Sequence, residues 1–449
     1  MPKLVHLEAA TRLLTAMRPP GADGHSHSFM FGRPGTPMPL RNLGASLHYQ
    51  KSEMIRAAHY VRQNGAPYLK YLDIGDVWSL LTQFVVEAYW ILADECWIAR
   101  FEGPYADRVS PNTLTAFADA LAASPLFAPQ AVVTLFPLVP IRVENPFAGT
   151  TFFLCDPESL AAQLADEHPE RWLDPQVFPP LKDPRVAVKS PTSWLGVRAP
   201  NLTVAKKMRA GILGAVALTP EPRQRHTFSG RAMFGGHCTI QHQDVGVGGH
   251  SPHTPPLMSD IVLGTEDLPW LAEVDRLLAS SARVDRRRLY ALEYFYRAWP
   301  LDEAARFPIF CMALDGIFGD ANQATQAVID GVRGLLGDHL DAARLRDLMT
   351  LRAAVIHGGA PDVYDSRKYG RYYETYVADP LFDLELVVAA CLRARIFGDQ
   401  MPPYQDAYAD LFADLQTQNR VPRNPYEGAI LAPTSRQTPG LSQRAPPRR

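Results

Sequence analysis

The spacing of apolar residues divides the chain into three textures: helical, then strand-like, then helical again. After a short amphipathic opening helix in MPKLVHLEAATRLL, residues 19–44 are rich in Gly and Pro and predict loop. Helical periodicity runs from about Ser46 to Leu121, clearest in SEMIRAAHYVRQN, in residues 76–98 and in NTLTAFADALAA. The period then shortens to that of strands. AVVTLFPLVPIRV and TTFFLCD, joined by the turn-like ENPFAG, predict two paired strands, with Pro137 and Pro140 favouring an edge or a bulge in the first. Asp156 is set to cap a helix through PESLAAQLADEH, and RVAVKS, WLGVRA, GILGAVALT and HTFSGRAMFGG predict further short strands.

The Pro-rich SPHTPPLMSD marks a boundary near residues 251–260, and beyond it the pattern is almost wholly helical. DRRRLYALEYFYRAW, a helix near PIFCMALDGIF, NQATQAVIDGVRGLLGD, DAARLRDLMTLRAAVIHGG and PLFDLELVVAACLRARIF supply enough amphipathic segments for a bundle. The expected fold class is therefore α+β. Residues 1–255 form a mixed region with a modest sheet, suited to sensing a trigger, regulation or substrate selection. Residues 270–400 form an all-helical bundle, and 420–449 a disordered, basic, Pro-rich tail.

One of these helices carries unusual chemistry. In DAARLRDLMTLRAAVIHGG, Asp341 is placed as N-cap, Leu345, Leu348, Met349, Val355 and Ile356 supply the apolar face, and Gly358-Gly359 stop the helix. Arg352 falls inside that apolar stripe. A guanidinium keeps its proton, so on a buried face it needs an anion, a set of acceptors or a subunit seam. His357 follows in the last turn, where the negative end of the helix favours imidazolium. A fixed cation beside a titratable group suits RNA cleavage without a metal: the histidine moves protons and the arginine meets the phosphorane.

Composition narrows the setting. With 449 residues, 47% hydrophobic and 20% charged, the chain can bury two or three cores. Its net charge of −2 means that nucleic-acid contact must come from local patches. Five scattered cysteines without a CxxC pair predict free thiols in a reducing cytoplasm, which is the expected location. Gln83, Glu87, Asp94 and Glu95 interrupt the most apolar run, so a buried helix is expected there and no membrane segment.

Three further groups of residues bear on chemistry. YDSRKYGRYYETY interleaves Arg367, Lys368 and Arg371 with Tyr369, Tyr372 and Tyr373 among five tyrosines, which suits single-stranded RNA: cations for phosphates, rings for bases. The alternative is a loop whose tyrosines pack on the bundle. Arg286, Arg287 and Arg288 open their helix at its unfavourable end for cations and are expected to reach outward, to RNA or an acidic surface. His226, His237, His242, His250 and His253, with Cys238 and Asp244, offer metal-ligand types without metal-site spacing; a polar loop is the default, and no cofactor or metal is expected.

The run LRAAVIHGG, preceded by LEYFYRAW and by a helix ending ALDGIF, resembles the HEPN superfamily, specifically its Apea-like branch. The resemblance covers about residues 283–400 and leaves the first 270 residues without a counterpart. It rests on an Arg-x-x-x-x-His signature followed by Gly and on an acidic position in the earlier helix. It implies an all-helical domain that dimerises along the signature helix, with RNA as partner. In active members it implies a metal-independent endoribonuclease leaving a 2',3'-cyclic phosphate, often a toxin or an antiviral effector. Carried onto this chain, the signature residues are Arg352 and His357 and the acidic one is Asp315. The chain departs from the pattern at Ala353, where active families usually have a polar residue, and at Asp315, where Glu is common. A non-catalytic RNA- or protein-binding module is therefore the main alternative, and a metal-dependent enzyme built on the histidine group a weaker one.

Overall fold

The computed structural model describes residues 4–19, 25–33, 43–98, 101–164, 191–240, 245–319, 324–337, 340–356, 362–418, 420 and 426–437. The chain is mixed α+β and divides into two compact units, Met1–Ala131 and Val132–Arg449. The sheet and the C-terminal helices therefore share one unit.

The first unit opens with α1 (Leu4–Ala16), whose Ala9, Ala10, Leu13 and Leu14 are buried. Strands β1 (Met17–Arg18), β2 (His25–Phe31) and β3 (Leu43–Tyr49) follow as an antiparallel sheet of order β1-β3-β2. Loop was expected over 19–44, and the strand β2 corrects it. The segment HSHSFMF has no polar/apolar alternation to announce a strand; pairing with β3 makes it one, with His27, Phe29 and Phe31 turned inward at period two. Next come α2 (Lys51–Asn64), α3 (Ile74–Ala88), α4 (Trp90–Cys96) and α5 (Pro111–Ala123). Asp73 opens α3 by accepting the Asp76 amide at 2.8 Å. The long apolar run is thus broken between α3 and α4, and no described helix is long and apolar enough to cross a membrane.

The second unit begins with β4 (Val132–Leu138), β5 (Ile141–Val143), β6 (Phe147–Ala148), β7 (Phe152–Cys155), the one-turn α6 (Leu160–Gln163) and β8 (Ser193–Ala199). Helix α7 (Leu202–Val216), β9 (Gly235–Ile240), β10 (Val245–Pro252) and β11 (Ile261–Leu263) complete this part. Six strands pair antiparallel in the order β10-β9-β4-β8-β7-β6, while β11 and β5 form a separate parallel pair. The strand with Pro137 is internal. The proline is tolerated because β9 pairs only with Val133, Thr134 and Leu135, so at Pro137 the ladder has one neighbour, β8.

Two predicted strands are corrected here. GILGAVALT forms the end of α7 and the turn after it, and of HTFSGRAMFGG only Gly235 and Gly236 enter a strand. Gly211 and Gly214 misled the reading of α7. A Cβ at Gly214 would lie 2.0 Å from the Leu292 carbonyl oxygen, so glycine is required where α7 and α9 touch backbone to backbone. RVAVKS lies outside the described residues.

The remaining helices are α8 (Leu268–Ala279), α9 (Arg283–Ala298), α10 (Glu303–Phe318), α11 (Ala324–Leu336), α12 (Ala342–Ile356), α13 (Arg367–Tyr376) and α14 (Pro380–Leu392). Helix α10 packs on α9, α14, α11 and α12, and α13 lies on α12 and α14. Strand β12 (Tyr404–Asp406), α15 (Ala409–Thr417) and β13 (Ser435–Gln437) close the fold. β13 pairs parallel with β12, so residues 435–437, read as part of a disordered tail, form a strand. Their backbone groups find partners on β12, which composition does not reveal.

Candidate functional site

The site is built on α12, which packs on α10 and on α13. Asp341 caps α12 as expected, accepting the Ala343 amide at 2.8 Å, and Leu345, Leu348, Met349 and Leu351 are buried. Val355 is half-buried and Ile356 exposed, so the apolar face thins toward the end of the helix. Arg352 continues the buried row. Its Nη2 donates to Oδ2 of Asp315 on α10, forming an ion pair whose side chains are 15% and 29% exposed.

That pair is incompletely bonded. Arg352 Nε and Asp315 Oδ1 are buried and have no hydrogen-bond partner among the described residues. Burial raises the Asp315 pKa above its usual range, and the Arg352 guanidinium offsets part of that shift. Burial also pushes the neighbouring Cys311 thiol up, which leaves it a neutral, packed side chain. His357 lies outside the described residues, just past the end of α12.

The Arg/Tyr-rich segment is a helix. Ser366 caps α13, and along it Tyr369, Tyr372 and Tyr376 turn toward α12 and α14 at spacings of three and four. Tyr372 corrects the expectation of a base-stacking role: it is buried, donates to Asp383 Oδ2 at 2.6 Å and accepts from Arg344 Nε at 2.9 Å. Tyr369 is half-buried, edge-on to Tyr364 at 5.0 Å. Lys368 is exposed and donates to the Thr350 carbonyl of α12 at 3.1 Å. Arg367, Arg371 and Tyr373 remain on the outer face, with Tyr373 52% exposed. The tyrosines thus divide between packing and solvent, as helical periodicity requires.

The run at the start of α9 also turns inward. Arg287 donates to the carbonyls of Gly316 at 2.8 Å, Asp315 at 3.2 Å and Gly319 at 2.9 Å, and so completes the C-terminal end of α10. This corrects the outward reach expected of Arg287, and it anchors the backbone that presents Asp315. Arg288 pairs with Asp285 at 3.5 Å.

The histidine group is dispersed over structural roles. Among the described residues no three His, Cys, Asp or Glu side chains are placed to hold a metal ion. His226 bridges the Trp299 carbonyl at 3.2 Å and Glu385 at 3.1 Å. Glu385 also meets Arg225 at 2.6 Å; burial acts to raise its pKa, but His226, Arg225 and Arg306 outweigh it and hold it at about 2. His253 donates from Nε2 to the Gly236 carbonyl at 2.5 Å and accepts from Arg209 at 2.8 Å, and burial with Arg209 pulls its pKa down to about 3. Burial lowers His237 as well; Cys238 is packed in the sheet core, and His250 lies on β10. His242 and Asp244 lie outside the described residues. All five cysteines are buried and unpaired.

Sequence reasoning missed Arg344, Asp383 and Arg287 as organisers of the site. The signal was available for Arg344: with Leu348 and Arg352 it repeats at four-residue spacing on one helix face. Comparison of the chain with known families, with curated proteins and with solved structures found no match.

Proposed function

We propose that this chain is a HEPN-type, metal-independent endoribonuclease whose C-terminal helices carry the active site, in the manner of a toxin or defence effector. The observation that carries the reading is the Arg352–Asp315 pair. It joins the helix with the Arg-x-x-x-x-His pattern to the earlier acidic helix, and it retains an unused donor on Arg352. The outer face of α13, a helix that packs on α12, carries Arg367, Arg371 and Tyr373, which would offer phosphate and base contacts.

In this reading the ribose 2'-hydroxyl loses its proton and attacks the adjacent phosphorus. The bond from phosphorus to the 5'-oxygen breaks, and that oxygen takes up a proton, leaving a 2',3'-cyclic phosphate and a 5'-hydroxyl. His357 moves a proton, Arg352 neutralises the phosphorane, and Asp315 orients Arg352. A second copy of the chain, docked along α12, would supply the second proton-transfer group.

The deciding assay incubates full-length protein with RNA in the presence of chelator and reads the ends of the products. Wild type is expected to give cyclic phosphate ends and His357→Ala none; cleavage that requires a metal, or that survives His357→Ala, sinks the proposal. A second reading, an RNA- or protein-binding module without catalysis, draws on two facts: Asp315 already neutralises Arg352, and Ala353 supplies no polar group. Protein that dimerises and binds RNA but never cuts it would select that reading.

A further inference from the structure

Helix α14 does not end in an ordinary cap. Residues Arg393–Phe397 continue it as a π-helical turn, a wide and costly conformation that recurs where helices border ligands. Gly398 follows at φ +55°, and a Cβ there would meet nothing within 4 Å. Beside this turn lies a cavity of about 280 Å³. Leu386, Ala390, Met401, Leu431 and Pro433 supply apolar lining, and Arg393 and Tyr404 the polar groups. The 431–434 wall is tied down on both sides. Ile430 donates its amide to Asp383 Oδ1 at 2.9 Å, and the Tyr404 amide donates to the Thr434 carbonyl at 3.0 Å.

Arg393 is the anomaly in this cavity. Its Nη1 donates to the Leu218 carbonyl at 2.7 Å, its Nη2 donates to the Pro402 carbonyl, and its guanidinium sits 4.0 Å above the Tyr404 ring. Among the described residues no carboxylate lies within ion-pair distance of it, and its Nε makes no hydrogen bond. Burial pulls its pKa down to about 10, with Tyr404 and the more distant Asp267 acting to raise it and Arg225 and Arg436 to lower it, and it still carries its charge at neutral pH. Arg225, Arg231, Arg344, Arg352 and Arg436 of this unit each have a carboxylate, whereas Arg393, like Arg287, donates to backbone carbonyls; what sets Arg393 apart is that it lines a cavity. A part-buried cation lining a largely apolar cavity, with no carboxylate at ion-pair distance, suits an anion, and a single such cation suits a monovalent one.

We propose that this cleft is a binding site for a small amphipathic carboxylate, its head toward Arg393 and its aliphatic body along Leu386, Ala390 and Leu431. Nothing in the site depends on the α10–α12 pair, so its fate is separable from that of the nuclease reading.

The test is calorimetric titration of full-length protein with octanoate and, in parallel, with octanol. Octanoate is expected to bind one site per chain, at least about tenfold more tightly than octanol. Ala390→Phe, which fills the cleft, and Ala432→Trp, on its exposed rim, are each expected to weaken octanoate at least about tenfold while folding is retained. Arg393→Gln is expected to bring octanoate down to the affinity of octanol. Hydrogen exchange at the Tyr404 amide should slow when octanoate is bound. Equal affinity for acid and alcohol, no binding of either, or full-strength octanoate binding in both cleft variants overturns the proposal. If Arg393→Gln fails to fold, the acid–alcohol comparison and the two cleft variants still decide it.

Discussion

Arg344 and Arg352 lie about two turns apart on one face of α12, and each pairs with an aspartate from a neighbouring helix, yet the two pairs are bonded very differently. Asp383 is 1% exposed and fully used: Oδ2 accepts from Arg344 and from Tyr372, and Oδ1 accepts the Ile430 amide. Arg344 also donates from Nη2 to the Gly428 carbonyl at 2.9 Å. The Arg352–Asp315 pair is more exposed and leaves one buried donor and one buried acceptor without partners among the described residues. The carboxylate of Asp383 is saturated and holds helices together. The second pair keeps hydrogen-bonding capacity on both partners, and although Arg209, Arg288 and Arg436 also have an unbonded Nε, at Arg352 the paired carboxylate has an unbonded oxygen as well.

The contrast can be broken by substitution. The largest effect is expected from Asp383→Ala, which leaves Arg344 and Tyr372 buried without their acceptor. A loss of about 3–5 kcal/mol in denaturant unfolding is predicted, and a loss under about 1 kcal/mol would erase the distinction. Arg352→Ala should lower RNA cleavage by about a hundredfold or more, with a stability loss clearly smaller than that of Asp383→Ala. Cleavage at the wild-type rate would assign Arg352 to the scaffold.

The smallest and most discriminating effect concerns pH. Because burial raises the Asp315 pKa above its unfolded value, the stability tied to its protonated form is complete below the usual aspartate range. It is lost as pH rises through the folded value. Asp315→Asn, which cannot ionise, should therefore leave the thermal midpoint at pH 7 unchanged or raised relative to wild type, while slowing cleavage. A sharp fall in the midpoint at pH 7 would place Asp315 with Asp383 as a structural carboxylate.

Much of this architecture was legible in residue order, and the exceptions have physical causes. Helices α9 to α12 and α14, the Asp341 cap and the inward position of Arg352 follow from 3.6-residue periodicity and capping chemistry, which are local. Tyr372 was misread because composition marks an Arg/Tyr segment as a whole, whereas a helix turns every third or fourth side chain inward. Arg287 was misread because a cation at a helix start is unfavourable for its own helix, and the carbonyls it completes belong to α10. The histidines looked like a cluster because they are close in sequence, while their partners Glu385, Arg209 and Gly236 lie elsewhere.

The sequence by itself determined the α+β class, the helical C-terminal region and Arg352 as a side chain worth watching, because periodicity and the cost of burying a charge act residue by residue; Asp315 came only as what the family resemblance implies. Only the tertiary structure decided that they meet, that their pair stays unsaturated while Arg344–Asp383 is complete, and that Arg393 faces a cavity without a carboxylate. Hydrogen-bond saturation is a property of groups brought together from distant segments, so no local pattern can state it.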